Sequence, residues 1–460
     1  MAASSGLQGS AENVLSIDSH TDSGRPWSVA HRAAFRFVFS FLVLAVFPFP
    51  FNSFGGSVYE IGFYERMWFA AASWLGKHML HVPPTPSGWA LGLLEDTATG
   101  YAELLCFVVL AASAAAIWAL LDRKRPDYRT LHEWLRIYVR YALGFTMLGY
   151  GMDKVFALQF NTSLPGPGRL AEPLGNYSPF ALMWTFMAYS KPYTIFAGAG
   201  EVIGGVLLLF RRTTTLGAII IFGVMANVLA LDASYGVGLK VLVSLYLLLA
   251  IFLLVPDLTR LMNFFVLNRP APAANLEGPI PKDWMKKPRL VLHIALVVFA
   301  LYFFAGPGLQ GPRERGNRPE SPFYGLYQVE AFTQNGMPVA RNDANWRRVI
   351  FEAKGDMTVL TMDDSMHYYG ADVDDATNAV TISGEYPEMR SRSQGRLDFD
   401  SVSHLPNSVL TYSRPDPDHL EFRGNLAGDP VVIDMRRVDT SKFTLVNRGF
   451  HWVENGPFYR

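Results

Sequence analysis

The sequence predicts a polytopic α-helical membrane bundle that ends in an all-β barrel or sandwich, and three observations predict it. Apolar runs of the length needed to cross a hydrocarbon core, roughly 17–25 residues, recur at 34–51, 100–121, 136–157, 192–210, 214–232, 238–256 and 289–306. Beyond about residue 320 the pattern changes to short β-branched and aromatic runs separated by turn residues. Charge divides at the same place: of 40 Lys+Arg and 40 Asp+Glu, residues 1–320 hold 26 and 20, whereas 321–460 hold 14 and 20. The overall neutrality therefore conceals two parts that meet different surroundings.

Residues 1–33 are polar and Ser/Gly-rich, and read as a disordered cytoplasmic tail. They lack a short apolar core followed by a small-residue cleavage site, so the first span is expected to serve as an uncleaved anchor. Residues 34–133 hold the first two spans and, between them, Tyr59–His81, where Trp, Phe and Tyr mix with Glu65, Arg66 and Lys77 as an interfacial helix does. His78 and His81 share a face at i, i+3, but no third ligand is evident, and an ordinary interfacial pair is expected rather than a metal site. Cys106, the one cysteine, lies within the second span, which excludes an intramolecular disulfide, a multi-cysteine metal site and a thiol relay.

Residues 134–257 supply four spans, and 258–307 a proline-rich cytoplasmic connection and the last span. A Pro/Gly-rich linker over 308–322 leads to the β-rich domain, 323–460. Its strand-like runs are Val349–Glu352, Met357–Met362, Met366–Asp372, Ala379–Ser383, Leu397–Ser401, Val409–Ser413, Leu420–Phe422 and Val431–Met435. That spacing suits a meandering antiparallel barrel or sandwich, the nearest shape being a small lipocalin-like barrel. Asp372, Asp374, Asp375 and Asn378 match no calcium-loop spacing and read as a hairpin turn. The aromatic ending Asn447–Arg460 is expected to pack across the barrel mouth or on the membrane surface, and His367 and His451 receive no catalytic role.

Basic residues set the expected orientation, because cytoplasmic loops carry the excess of Lys and Arg. The clusters Arg25/Arg32/Arg36, Arg123/Lys124/Arg125/Arg129, Arg211/Arg212 and Arg260 through Arg289 all fall on one side of a seven-span chain. This places the N-terminus in the cytoplasm and the β domain outside the plasma (inner) membrane.

Glu201 is the residue on which the functional reading turns. It lies near the middle of Pro192–Phe210, about 12 Å from either end by helical rise, too deep for its short side chain to reach the headgroups. In the third span Arg140, Gly144, Gly151 and Lys154 stand at offsets 0, 4, 11 and 14, within a stripe of about 80° on one helix face. Glycines there permit close approach, and Gly200, Gly204 and Gly205 around Glu201 offer the matching surface. The two helices are therefore expected to pack and bring Glu201 to a cation, with snorkelling as the competing role for Arg140 and Lys154.

The strings Arg140-x3-Gly144-x6-Gly151-x2-Lys154 and Glu201-x2-Gly204-Gly205-x-Leu207-Leu208 resemble those of the DoxX family of small four-helix membrane proteins, over about residues 134–257. The resemblance implies a four-helix membrane core, in a family that includes quinone-linked oxidoreductase subunits. Tyr150, Asp153, Asn227, Asp232 and Lys240 near the same end are candidates for a polar ligand cavity with Glu201, while Trp184 reads first as an interfacial anchor.

The expected function is a membrane subunit that binds a lipophilic electron carrier such as a quinone, with Glu201 exchanging a proton and Arg140 or Lys154 balancing the charge. The chain shows no flavin or nucleotide fingerprint, haem-attachment motif or iron–sulfur cysteine set. A protein partner would supply electrons, and no nucleic-acid partner is expected. The alternatives are a non-enzymatic protein that handles lipid or cargo through the β domain, and an envelope scaffold in which Glu201 only fixes helix register.

Overall fold

A computed structural model provides the structure, which describes residues 26–50, 58–84, 94–160, 166–273, 286–309, 319–339, 345–386 and 407–448. The N-terminal unit comprises α1 (Val29–Val46), α2 (Val58–Leu75, continued by a π-helical turn over Gly76–Leu80) and α3 (Ala98–Leu121). The Ser28 hydroxyl accepts from the His31 N–H to start α1, and Thr97 caps α3 in the same way through Gly100. Phe47 turns to extended geometry ahead of Pro48, whose ring disfavours helix in the preceding residue.

Four longer helices form the central bundle: α4 (Arg129–Val155), α7 (Lys191–Leu209), α8 (Thr214–Tyr235) and α9 (Lys240–Leu254). Each packs on the next and α9 returns to α4, around a core that includes Leu143, Met147, Leu208, Ile221 and Leu253. Short helices α5 (Pro167–Ala171) and α6 (Pro179–Tyr189) join α4 to α7, and α10 (Leu258–Leu261) follows α9. The last long helix, α11 (Lys286–Leu309), lies on α4, with the Tyr141 hydroxyl 2.8 Å from His293 Nδ1.

Helices occupy all seven apolar runs, and five are long and apolar enough to cross a membrane: Val29–Val46, Ala98–Leu121, Lys191–Leu209, Arg211–Tyr235 and Lys240–Val266. α4 carries Arg129, Glu133, Arg136, Arg140, Asp153 and Lys154, and the apolar part of α11 is the shorter Leu290–Gly306. Val108, Leu110, Ile117 and Leu120 on α3, and Ile203, Phe222 and Ile251 on the bundle, are exposed on the lateral surface. Such a surface suits lipid.

One boundary needs correction. Arg32 and Arg36 are grouped with Arg25 as the basic cluster preceding the first span, whereas both lie inside α1. Arg36 is buried, with Nε 3.0 Å from the Tyr128 hydroxyl and Nη2 2.8 Å from the Asp122 carbonyl oxygen. This cation therefore joins α1 to the turn between α3 and α4.

The C-terminal domain is an antiparallel up-and-down barrel. Its strands are β1 (Glu320–Gln334), β2 (Met337–Pro338), β3 (Trp346–Ala353), β4 (Gly355–Thr361), β5 (Met366–Asp374), β6 (Ala379–Tyr386), β7 (Ser408–Ser413), β8 (His419–Leu426) and β9 (Asp429–Arg437). β1 and β3–β9 pair in chain order, and β1 closes on β9 from Tyr327–Arg437 to Gln334–Val431. β2 is a short hairpin on β1. The alternatives of barrel and sandwich thus resolve to a barrel, and β1 is a strand that the sequence reading omitted. The run Leu397–Ser401 and the ending from Gly449 lie outside the described residues.

Phe323, Phe351 and Phe422 fill the barrel interior, each fully buried and with ring centroids 5.3, 5.9 and 6.2 Å apart. Asp372–Asn378 spans the β5–β6 turn, where Asp374 accepts from Ala376 N–H and Thr377 Oγ1. Those bonds hold its carboxyl below the usual carboxylate range.

The barrel docks on the bundle through α5. Leu326 and Ile350 point away from the barrel core yet are buried against Ala171. Gly168 N–H donates to Glu352 Oε1 at 3.1 Å, and the Asn176 amide donates to the Asp364 carbonyl at 2.8 Å. Burial here pushes the Glu172 carboxyl up, against the opposing pull of Arg169 at 2.9 Å. The barrel therefore marks one end of the bundle, the end at which α4 finishes and α7 begins.

Candidate functional site

The site begins with a glycine seam. α4 and α7 run antiparallel, so that Gly144 meets Gly205 while Gly151 meets Gly198 and Val202. A Cβ placed on Gly151 would lie 2.7 Å from Val202 Cγ2, 2.8 Å from Val202 N and 2.9 Å from the Gly198 carbonyl oxygen. A side chain at that position would push backbone from backbone. Close approach brings Lys154, in the last turn of α4, onto Glu201: Nζ to Oε2 is 2.9 Å.

Both partners are deeply buried, Glu201 at 1% exposure and Lys154 at 8%. Lys154 does not snorkel; it turns inward. An ion pair so far from water is held by good geometry and by what surrounds it, because desolvation of the two charges offsets much of their attraction.

The α7 glycines divide between two neighbours. Gly205 faces α4 as expected, joined by Gly198, which the motif reading did not single out. Gly200 and Gly204 instead face α8, against Val224 and Ile221, and the Gly204 carbonyl lies against Gly217. Gly198 and Gly205, seven apart, share the stripe on α4, while Gly200 and Gly204, four apart, share the stripe on α8, so one small-residue cluster serves two seams.

Around the pair stands a polar cluster at the barrel end. Tyr150, one turn before Lys154, has its ring centroid 5.7 Å from Lys154 Nζ. Its ring lies 6.1 Å from that of Tyr246 on α9, and the two hydroxyls share a hydrogen bond. Asp232 on α8 is 5% exposed, lies within electrostatic range of Asp96, Lys240 and Lys154, and its Oδ2 has no hydrogen-bond partner among the described residues. Lys240 Nζ is 2.6 Å from Asp96 Oδ2, and both Asp96 oxygens accept backbone N–H bonds from Lys240 and Val241 at 2.8 Å. Asp96 is thus both counter-ion and cap of α9.

Several sequence expectations are corrected here. Arg140 does not meet Glu201: fourteen residues from Lys154 on the same straight helix, it sits about 21 Å away. It lies at the opposite end, with its guanidinium carbon 4.9 Å from the Tyr141 ring centroid and its Nε unpartnered among the described residues. Asn227 is exposed on the face of α8 turned away from the cluster, about 200° around the helix from buried Met225. Lys240, a candidate for the polar cavity, stands in the cluster through its pair with Asp96.

Trp184 packs between Phe160 and Phe180, at centroid distances of 4.7 and 4.8 Å. His78 Nδ1 lies 2.9 Å from the Trp74 carbonyl oxygen, and its ring stacks on Trp74.

Asp96 and Tyr246 are the members that sequence reasoning missed. Asp96 stands in a short polar stretch, Glu95-Asp96-Thr97, just ahead of α3, which reads as an ordinary helix start. Tyr246 is the one hydroxyl-bearing aromatic in the largely aliphatic Lys240–Leu254, and that isolation was the available signal.

Among known proteins, the chain is 32% identical to the "Uncharacterized protein YwoB" of Bacillus subtilis (strain 168) over 126 residues, 27% of this chain and 79% of the relative. No protein-family model matches the chain, and no solved structure matches it.

Proposed function

Because the chain belongs to the family of YwoB, a relative whose description assigns no activity, we propose its function from the site itself: a membrane protein that binds a lipophilic, proton-coupled carrier of the quinone class at the Lys154–Glu201 cluster. The observation that carries the reading is the combination of a buried ion pair with a hydroxyl pair and an unpartnered carboxyl, all at one end of the bundle. A carrier that gains or loses charge in an apolar site needs groups that give protons and groups that balance charge. Glu201 and Asp232 are of the first kind, and Lys154 of the second. The resemblance of the Arg140–Lys154 and Glu201–Leu208 strings to DoxX proteins supports the quinone class over other lipophilic ligands. Electrons would come from a protein partner.

In this reading the barrel is an extracytoplasmic domain of a plasma-membrane protein, with the N-terminus in the cytoplasm. The phenylalanine-filled interior favours a docking role for the barrel over carriage of a lipid within it.

The test is quinone content, measured by extraction and mass spectrometry on protein purified in mild detergent. Wild type is expected to retain quinone in stoichiometric amount and Glu201→Gln to lose most of it while staying folded. Wild type without quinone, or Glu201→Gln with an undiminished content, would remove the proposal.

A further inference from the structure

We infer that Asp232 holds a dissociable proton for the Lys154–Glu201 site, and that Asp96 connects this carboxyl to the surface. The inference rests on reading the cluster as proton-coupled, but not on quinone being its ligand.

A count of charges carries the argument. Lys154 is bonded to Glu201 and Lys240 to Asp96, each as a close pair. Asp232 is a buried carboxyl outside both pairs, 5% exposed, with Oδ2 unpartnered among the described residues. Within electrostatic range of it lie Lys154 from α4, Lys240 from α9 and Asp96 from the turn ahead of α3; Glu201 of α7, Tyr150 and Asp153 of α4 and Tyr246 of α9 stand around Lys154, and α6 contributes no charged group. Two buried carboxylates beside one buried ammonium carry an uncompensated negative charge, which an apolar interior penalises heavily. A proton on Asp232 removes it.

The same geometry lets the proton move. When the Asp232 O–H bond breaks, the proton passes to the Glu201 carboxylate or to an oxygen of a bound carrier. The Lys154 ammonium, released from Glu201 in the first case, then balances the new Asp232 carboxylate, so the net charge of the cluster is unchanged. Asp96 stands on the other side, paired with a Lys240 whose side chain is 37% exposed. Water reaching that pair replaces the lost proton. A residue from the N-terminal unit thereby completes a site otherwise built by the central bundle.

The test is infrared difference spectroscopy of the full-length protein, stripped of ligand, between low and high pH. Wild type is expected to show a protonated-carboxyl C=O band that Asp232→Asn lacks, that Asp232→Glu shifts, and that Glu201→Gln weakens or moves to lower pH, because Lys154 is then free to balance the Asp232 carboxylate. Asp232→Glu also serves if the Asn variant fails to fold. In D2O, Asp96→Asn is expected to slow isotope exchange of this band at least severalfold. The same band at the same strength in Asp232→Asn, or no shift in Asp232→Glu, would overturn the assignment to Asp232. An unchanged exchange rate in Asp96→Asn would overturn the connection to the surface. Because no carrier is present, failure here is separable from failure of the quinone reading.

Discussion

Lys154 and Glu201 are each tolerable only because the other is there. Replacing one partner of a buried pair strands the other charge and costs about 3–5 kcal/mol, whereas replacing both with neutral groups of similar shape is often near neutral. We therefore expect Lys154→Met to lower thermal stability sharply and the double variant Lys154→Met/Glu201→Gln to recover most of the loss, in detergent melting curves. Equal losses in the single and double variants would show that the two side chains do not act as a pair. Glu201 was legible from sequence because a short acidic side chain at mid-span has no route to water. Its partner was not, because Arg140 and Lys154 occupy the same face and only the antiparallel register of α7 on α4 decides between them.

At the scale of the element, the register is set by glycine. The α4–α7 seam closes where Gly144 meets Gly205 and Gly151 meets Gly198, and Lys154 lies one turn beyond that contact. Gly151→Ala would press a methyl group onto the backbone of Val202 and Gly198, widening the seam and lengthening the ion pair. We expect a destabilisation of about 1–3 kcal/mol, together with loss of bound carrier. Gly223→Ala, on the same bundle but with nothing within 4 Å of the added Cβ, is expected to leave both unchanged. Similar effects from the two substitutions, read by melting temperature and ligand content, would mean that the seam does not position the site.

Sequence reasoning identified Gly205 as a packing residue on α7 but assigned Gly200 and Gly204 to the wrong neighbour, since periodicity gives the face of a helix and not what covers it. Asn227 failed for a related reason: depth within an apolar run says nothing about which side of the helix a residue occupies. Asp96 and Tyr246 were illegible as site residues because each reaches the cluster from a different part of the chain, and no local pattern joins residues 96, 150, 201, 232 and 246.

Over the whole molecule, seven apolar runs and a change of period sufficed to read a helical membrane part followed by a β domain. What they did not carry is how the two parts meet. Leu326 and Ile350 stand on the outside of the barrel and are apolar because Ala171 of α5 covers them, a relation invisible until both domains are folded. β1, with bulges that break its alternation, escaped for a similar reason. The resulting molecule sets a filled barrel on the end of the bundle at which Lys154, Glu201 and Asp232 are buried together.

The central claim is that these charges form a ligand site rather than a register device, and a charge swap separates the two most directly. Lys154→Glu combined with Glu201→Lys preserves an ion pair across the seam but moves the cation from beside Tyr150 to α7. The measurement is quinone per protein in wild type and in the swapped variant, with melting curves as the control for folding. The account predicts stoichiometric quinone in wild type, and a swapped protein that melts near wild type yet carries little or none. Quinone retained in full by a stable swapped protein, or absent from wild type, would contradict it.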